Sequence, residues 1–271
     1  MYIFNHAEIA QHALHQIEYS IIDSCNKNCR SCSHFSPLAK RANLVSVNEF
    51  IINADILHEV VPDVHMFWLT GGEPTLHPEY MKILERLRNI YSNVPVGVMS
   101  NGYSIIKNAG NRNFWAFIRA NKIIWRITTY NILPQTYIDL FVQNNCIDLL
   151  SLDENKTFSN LIALTNIKQQ SSIEKYKQCG WERMNIFVRN GCIWKCPAVE
   201  YIDLFNNYFN KRLLVHSDDY LHIQEGLTRS EIIKFKGVPS SFCCYCDLTK
   251  RHTIKFPVEE SKRKISEWMV G

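Results

Sequence analysis

The sequence predicts an α/β fold: a partial (β/α) barrel of about five to six parallel strands, followed by a smaller C-terminal module. Three observations predict it. Short apolar runs alternate with segments of helical spacing from Gln16 to Leu152. The runs are apolar on both faces, as strands covered on both sides of a parallel sheet are. Turns rich in cysteine or glycine follow several runs directly, where the loops of parallel barrels carry chemistry.

Gln16 to Ile22 (QIEYSII) mixes β-branched and apolar residues and predicts the first strand. Asn48 to Val60 has helical spacing, and Met66 to Thr70 (MFWLT) is a second strand ended by Gly71-Gly72. Pro78 to Asn89 is an amphipathic helix with Tyr80, Ile83, Leu84 and Leu87 on one side. Val94 to Met99 is a third strand, Phe114 to Asn121 a helix and Ile123 to Thr129 a fourth strand. Pro134 to Gln143 is a helix and Ile147 to Leu152 a fifth strand. Beyond it the pattern changes. Lys156 to Tyr176 is polar, helix or loop. Met184 to Val188 and Cys192 to Cys196, joined through Arg189-Asn190-Gly191, predict a β-hairpin. Glu259 to Trp268 is expected to be a helix, with Trp268 on the core. A boundary is expected near residue 160, dividing 1–160 from 161–271.

At 271 residues the chain is long enough for one large core, or one core and a smaller module. Its 46% hydrophobic and 21% charged content describes a soluble globular protein rather than a disordered one. The net charge of +4 comes from interspersed bases and acids, so no nucleic-acid partner is expected. No apolar run reaches membrane-spanning length and no secretory signal is visible, so no membrane association and a cytoplasmic location are expected. In that reducing compartment ten cysteines point to metal or redox ligands, not disulfides.

Cys25, Cys29 and Cys32 follow the first strand at the spacing C-x3-C-x2-C. Three thiolates within eight residues suit three irons of a cubane cluster and leave the fourth iron open to a ligand. Structural zinc takes four ligands, so a zinc or redox loop with a distant fourth ligand stays the alternative. The second strand ends in Gly71-Gly72-Glu73-Pro74, where glycines let the backbone approach a ligand closely. The third ends in Ser100-Asn101-Gly102, whose plain reading is a turn. Arg126, Thr128 and Tyr130 end the fourth, with a buried strand threonine the alternative for Thr128.

In order and spacing these motifs resemble the radical S-adenosylmethionine (radical SAM) enzymes, a resemblance that spans most of the chain. It implies that Cys25, Cys29 and Cys32 ligate a [4Fe–4S] cluster whose open iron chelates S-adenosylmethionine. Reductive cleavage would then give methionine and a 5′-deoxyadenosyl radical that takes hydrogen from a substrate. It also implies that backbone carbonyls of Gly71 and Gly72 receive the methionyl ammonium, with Glu73 adding negative charge. Ser100, Asn101 and Thr128 would contact the ribose or carboxylate. The residue before the last cysteine, aromatic in many relatives, is Ser31 here; His34 and Phe35 are the nearest aromatic rings. An external reductant such as flavodoxin or ferredoxin is implied.

A second cysteine set lies downstream. Cys179 is followed by eleven residues, then Gly191-x4-Cys196, and later by Cys243 and Cys246. This resembles the auxiliary-cluster module of the SPASM and shorter twitch radical SAM subfamilies, implying a second [4Fe–4S] cluster. Zinc on the same four cysteines is the alternative. Cys192 and Cys244 are off-register neighbours able to substitute, and either is a candidate free thiol; Cys146 reads as a small hydrophobe. Candidate substrate or catalytic groups are Arg126, Asp153, Glu154 and Cys192. Fifteen residues precede the first strand, which favours a small polar substrate (a sugar, aminocyclitol or nucleotide-sugar) undergoing oxidation or epimerisation. A peptide maturase with a recognition partner in trans, and a non-catalytic iron–sulfur or zinc module, are the alternatives.

Overall fold

Strand β1 (Gln16–Ser20) occupies the middle of the main sheet. The structure is a computed structural model that describes residues 14–130, 132–153, 157–160, 162–165, 172–179, 185–255 and 259–270. On one side of β1 the sheet continues in parallel through β2 (Met66–Thr70), β3 (Val96–Ser100), β4 (Ile124–Thr128) and β5 (Leu150–Asp153). β6 (Thr157–Asn160) leaves this sheet and pairs antiparallel with a late strand, His252–Lys255. β7 (Ile186–Arg189) then returns to the main sheet, parallel to β1 on its other side. β8 (Cys192–Trp194) and β9 (Tyr220–His222) extend that edge antiparallel. The six contiguous parallel strands form the expected partial barrel.

Alternation decides which face is covered. Ile17, Tyr19, Phe67, Leu69, Val96, Val98, Trp125 and Ile127 are buried in the main core. That core also takes Phe50 and Leu57 from α1 (Val47–Val60), Ile83 and Leu87 from α2 (Tyr80–Ile90), and Ile105 from the short α3 (Tyr103–Lys107). Trp115 of α4 (Arg112–Ala120) and Phe141 of α5 (Pro134–Gln143) complete the layer. Ser46 caps α1 by accepting the Glu49 amide at 3.1 Å, and Asn111 caps α4 by accepting that of Phe114 at 3.2 Å. The opposite face is more polar, carrying Glu18, Ser20, Thr70, Arg126, Asp153 and Arg189. Gly97 leaves room there: a Cβ would stand 2.6 Å from the Trp68 ring and 2.4 Å from the Ile124 carbonyl.

A second core gathers Phe35 and Leu38 with Ile162, Leu164, Tyr201, Phe205, Phe242 and Trp268. α6 (Ser172–Gln178) packs on the turn at Ser241–Tyr245, and the helical parts of this core are α7 (Pro197–Glu200) and α8 (Ile202–Phe209). α9 (Arg229–Gly237) instead sends Ile232 into the main core. Strands from beyond residue 160 thus belong to the main sheet, while two cores coexist.

The predicted hairpin is present, with Asn190 (φ 54°) and Gly191 (φ 68°) both left-handed, as a two-residue turn matched to strand twist requires. Three expectations are corrected. Lys156 to Tyr176, expected as helix or loop, holds the strand Thr157–Asn160 because His252–Lys255 supplies it with a backbone partner from far along the chain. The fifth strand begins only at Leu150, because Ile147–Leu149 closes a 3-10 turn. Glu259 to Trp268 is not a helix: apart from a 3-10 turn at Ile265–Glu267 it is extended, since its backbone groups bond the cysteine loop instead of one another.

Candidate cofactor and metal sites

The loop after β1 carries Cys25, Cys29 and Cys32. It is held from two sides. On one side Gly72 and Glu73 donate backbone N–H bonds to Ile22 (2.8 Å) and Ser24 (3.0 Å). A Cβ at Gly71 or Gly72 would lie 2.2 Å from the same two carbonyls, and Gly71 has φ +135°, so only glycine allows this approach. On the other side the C-terminal segment straps the loop. Arg30 N donates to Glu259 O, Ser261 N to Asn28 O, and Ser31 Oγ to Glu267 O, while Trp268 Nε1 donates to Cys32 O at 2.9 Å.

The three thiols are mutual electrostatic neighbours. Burial pushes the Cys25 thiol up to about 12 and the Cys29 thiol up to about 11, with the neighbouring cysteines adding to both. The Tyr130 hydroxyl hydrogen-bonds Cys29. Asn101 Nδ2 bonds Asn26 Oδ1 at 2.7 Å and reaches Cys25 Sγ at 3.8 Å. Three neighbouring thiols on one strapped loop suit a metal group, whose positive charge removes the cost of deprotonating them together.

Glu73 is buried between two turns. Its carboxylate accepts Thr75 N (3.2 Å), Thr75 Oγ (2.6 Å), Ser100 Oγ (2.8 Å) and Asn101 N (2.8 Å). It is 1% exposed and joins the turn after β2 to the turn after β3. Ser100 and Asn101 therefore support Glu73 and the cysteine loop. Gly71 O is bonded by His34 Nδ1, and the His34 ring stacks on Tyr201 at 4.8 Å. Ser31 (φ 56°) is buried and bonds the C-terminal strap.

Arg126 and Asp153 meet as a bidentate pair (2.9 and 3.3 Å) at the ends of β4 and β5, half-exposed on the polar face; Thr128 shares that face, in register with Asp153. Glu154 lies outside the described residues. Cys192 contacts His222 Nδ1 at 3.3 Å, and Cys244 packs on the second core. Cys146 is buried in the main core, as expected of a small hydrophobe.

The second cysteine set converges. Cys179, Cys196, Cys243 and Cys246 all line one cavity of ≈ 50 Å³, several times the roughly 10–15 Å³ that a single water needs. Cys192 and Cys244 do not line it. Among the described residues, no three His, Cys, Asp or Glu side chains, in this set or in the first cysteine loop, close on a single metal-ion position. Burial pushes the Cys196 thiol up to about 12. Lys175, Lys195, Lys236 and Arg251 add positive charge to the wall, and Arg251 Nη2 reaches Cys179 Sγ at 3.3 Å while its buried Nε has no partner. An orphaned donor beside four thiols fits an anionic metal–thiolate group.

Known proteins resemble this chain both in sequence and in fold. Residues 19–117 match the radical SAM superfamily. The chain carries a radical SAM domain. Its sequence is 30% identical over 103 residues to GTP 3′,8-cyclase of Haemophilus influenzae (strain 86-028NP), covering 37% of this chain and 30% of that one. Over 93 residues it is 29% identical to molybdenum cofactor biosynthesis protein 1 of Homo sapiens, 34% of this chain and 14% of that one. The chain thus spans less than a third of the length of these relatives. In fold it is similar to the crystal structure of BtrN in complex with AdoMet and 2-DOIA (TM-score 0.54, 13% identity), over 82% of this chain and 84% of that one. The cofactors of the superfamily are a [4Fe–4S] cluster and S-adenosylmethionine.

Trp268 is on the core as expected, but sequence reasoning missed its bond to Cys32 O and that of His34 to Gly71 O, along with Tyr201, Asp23 and the buried charge of Arg189. Their partners lie far away along the chain, and no local spacing marks them.

Proposed function

We propose that the chain is a radical SAM enzyme acting on a small polar substrate held against the polar face of the partial barrel. Cys25, Cys29 and Cys32 are the ligands of the first [4Fe–4S] cluster, and the turns at Gly71-Gly72 and Ser100-Asn101 border the S-adenosylmethionine site. When bound, the cluster and S-adenosylmethionine supply a 5′-deoxyadenosyl radical for hydrogen abstraction. The chain's own task is to place that chemistry at the C-terminal ends of the strands and keep water from it.

The observation that carries this reading is the convergence of three turns. The cysteine loop rests on Gly71-Gly72, and Glu73 locks that turn to Ser100-Asn101. Arg126, Asp153 and Thr128 line the face beside it and offer hydrogen bonds and charge to hydroxyl or amino groups. The reaction class is oxidation or epimerisation, assisted by a second [4Fe–4S] cluster on Cys179, Cys196, Cys243 and Cys246. The reductant is an external flavodoxin or ferredoxin. No described helix is long and apolar enough to cross a membrane.

The test is anaerobic reconstitution, iron and sulfide counting, then dithionite and S-adenosylmethionine with assay of 5′-deoxyadenosine. About eight irons per chain are expected for two four-iron clusters, with nucleoside formed. Cys25→Ala/Cys29→Ala/Cys32→Ala should abolish the nucleoside and keep about four irons. Nucleoside from that triple variant would end the proposal.

A further inference from the structure

We infer that Lys195, Lys236 and Arg251 form a cationic cage that holds the metal–thiolate group of the Cys179–Cys196–Cys243–Cys246 cavity and favours its reduced form. The inference rests on the proposed reading of that cavity as a second iron–sulfur site.

These three line the cavity together with Lys175, whose ammonium donates to Cys246 O, and among the described residues no aspartate or glutamate does. Lys236 is 2% exposed. Its ammonium donates only to carbonyls, those of Trp194 (3.2 Å) and Lys195 (2.8 Å), and sits 4.8 Å from the Phe187 ring centre. Lys195 likewise donates to the carbonyls of Phe235 and Val238 and lies over the Phe235 ring. Arg251 donates Nη1 to Cys179 O at 2.7 Å and Nη2 to Cys179 Sγ at 3.3 Å, leaving Nε without a partner. Among the described residues none of the three makes an ion pair with a carboxylate. The acids that act on them do so at longer range: Glu18 and Glu200 on Lys236, Asp218 and Asp219 on Lys195.

Buried cations are costly unless an anion compensates them. Here the cavity itself is the missing partner. Four neutral thiols offer no countercharge, whereas four thiolates on a [4Fe–4S] core carry net negative charge. Reduction adds one electron to the core, breaks no bond and moves no proton, so the negative charge grows. Fixed positive charges beside the sulfurs favour that state and raise the potential, as do hydrogen bonds to sulfur.

The experiment uses the full chain with Cys25→Ala/Cys29→Ala/Cys32→Ala, so that only the second site reports. It is reconstituted anaerobically, iron and sulfide are counted, and the cluster is titrated potentiometrically against dithionite with electron paramagnetic resonance. The expected parent value is about four irons. Lys236→Met should disfavour reduction at least tenfold, a negative shift of about 59 mV for a one-electron couple. Lys236→Arg should restore the parent potential, and Arg251→Gln should shift it in the same direction as Lys236→Met. Iron lost from Lys236→Met but kept by Lys236→Arg would equally show that the charge holds the group. Equal potentials in the parent, Lys236→Met and Arg251→Gln would overturn the cage, as would iron lost from both lysine variants. A parent without iron or with redox-silent metal would refute the second-cluster reading first, and the cage with it.

Discussion

Glu73 and Glu200 are both buried carboxylates, and they are stabilised differently. Glu73 accepts four hydrogen bonds from two turns. Glu200 accepts one from Ser20 Oγ at 3.0 Å, and burial pushes its carboxyl up to about 8 against the pull of Arg189. A carboxyl raised in the folded state contributes stability at low pH that is lost as pH rises, here between its ordinary 4.5 and about 8. Glu200→Gln keeps an acceptor for Ser20 and has nothing to ionise. The variant should therefore lose less stability than the wild type as pH rises through that window. Melting temperature against pH for both proteins checks this, and parallel curves would contradict it.

Among the elements, the C-terminal strap connects the two cysteine sites. Leu164 N donates to Trp268 O and Val270 N to Leu164 O, both at 2.7 Å. On the other side Thr165 N donates to Tyr245 O and Asp247 N to Ala163 O, next to Cys246. From Trp268 the chain of contacts reaches Cys32 O and the Phe35 ring, 5.9 Å away. Trp268 is 1% exposed. Trp268→Ala should cost about 3–5 kcal/mol through lost packing and a bare Cys32 carbonyl. Chemical denaturation gives the stability, and iron loading should fall at the first site. The helix expected over Glu259 to Trp268 failed for a stated reason. Side-chain spacing reports which faces are apolar, but not that an edge of another loop offers the backbone better partners.

At the scale of the whole molecule, Arg189 ties the sheet to the second core. It pairs with Asp23 (2.9 and 2.8 Å) after β1, with Asp203 (2.8 and 3.0 Å) in α8 and with Glu200 O, and stacks on Tyr201 at 4.8 Å. Arg189 and Asp23 are both 3% exposed, so removing one partner leaves a buried charge uncompensated. Arg189→Met should destabilise by about 3–5 kcal/mol. Unfolding followed by fluorescence reads it, and a loss under about 1 kcal/mol would show that the pair is not what joins the two cores.

Much of this molecule is legible in its sequence because the signal is local. The order of parallel strands follows from short apolar runs, the hairpin from Asn190-Gly191, and the first cysteine loop from three cysteines spaced within one turn-rich segment. The four later cysteines are also legible as a set. Only the fold shows that Cys243, not Cys244, lines the cavity with them, because successive side chains of a 3-10 turn point about 120° apart. The return of β7 to pair with β1, the closure of Gly71 O by His34, the cations around the cavity and the strap over Cys32 were decided by the tertiary structure. Each joins residues far apart in the chain, through backbone groups and buried charges that must find partners wherever the fold supplies them.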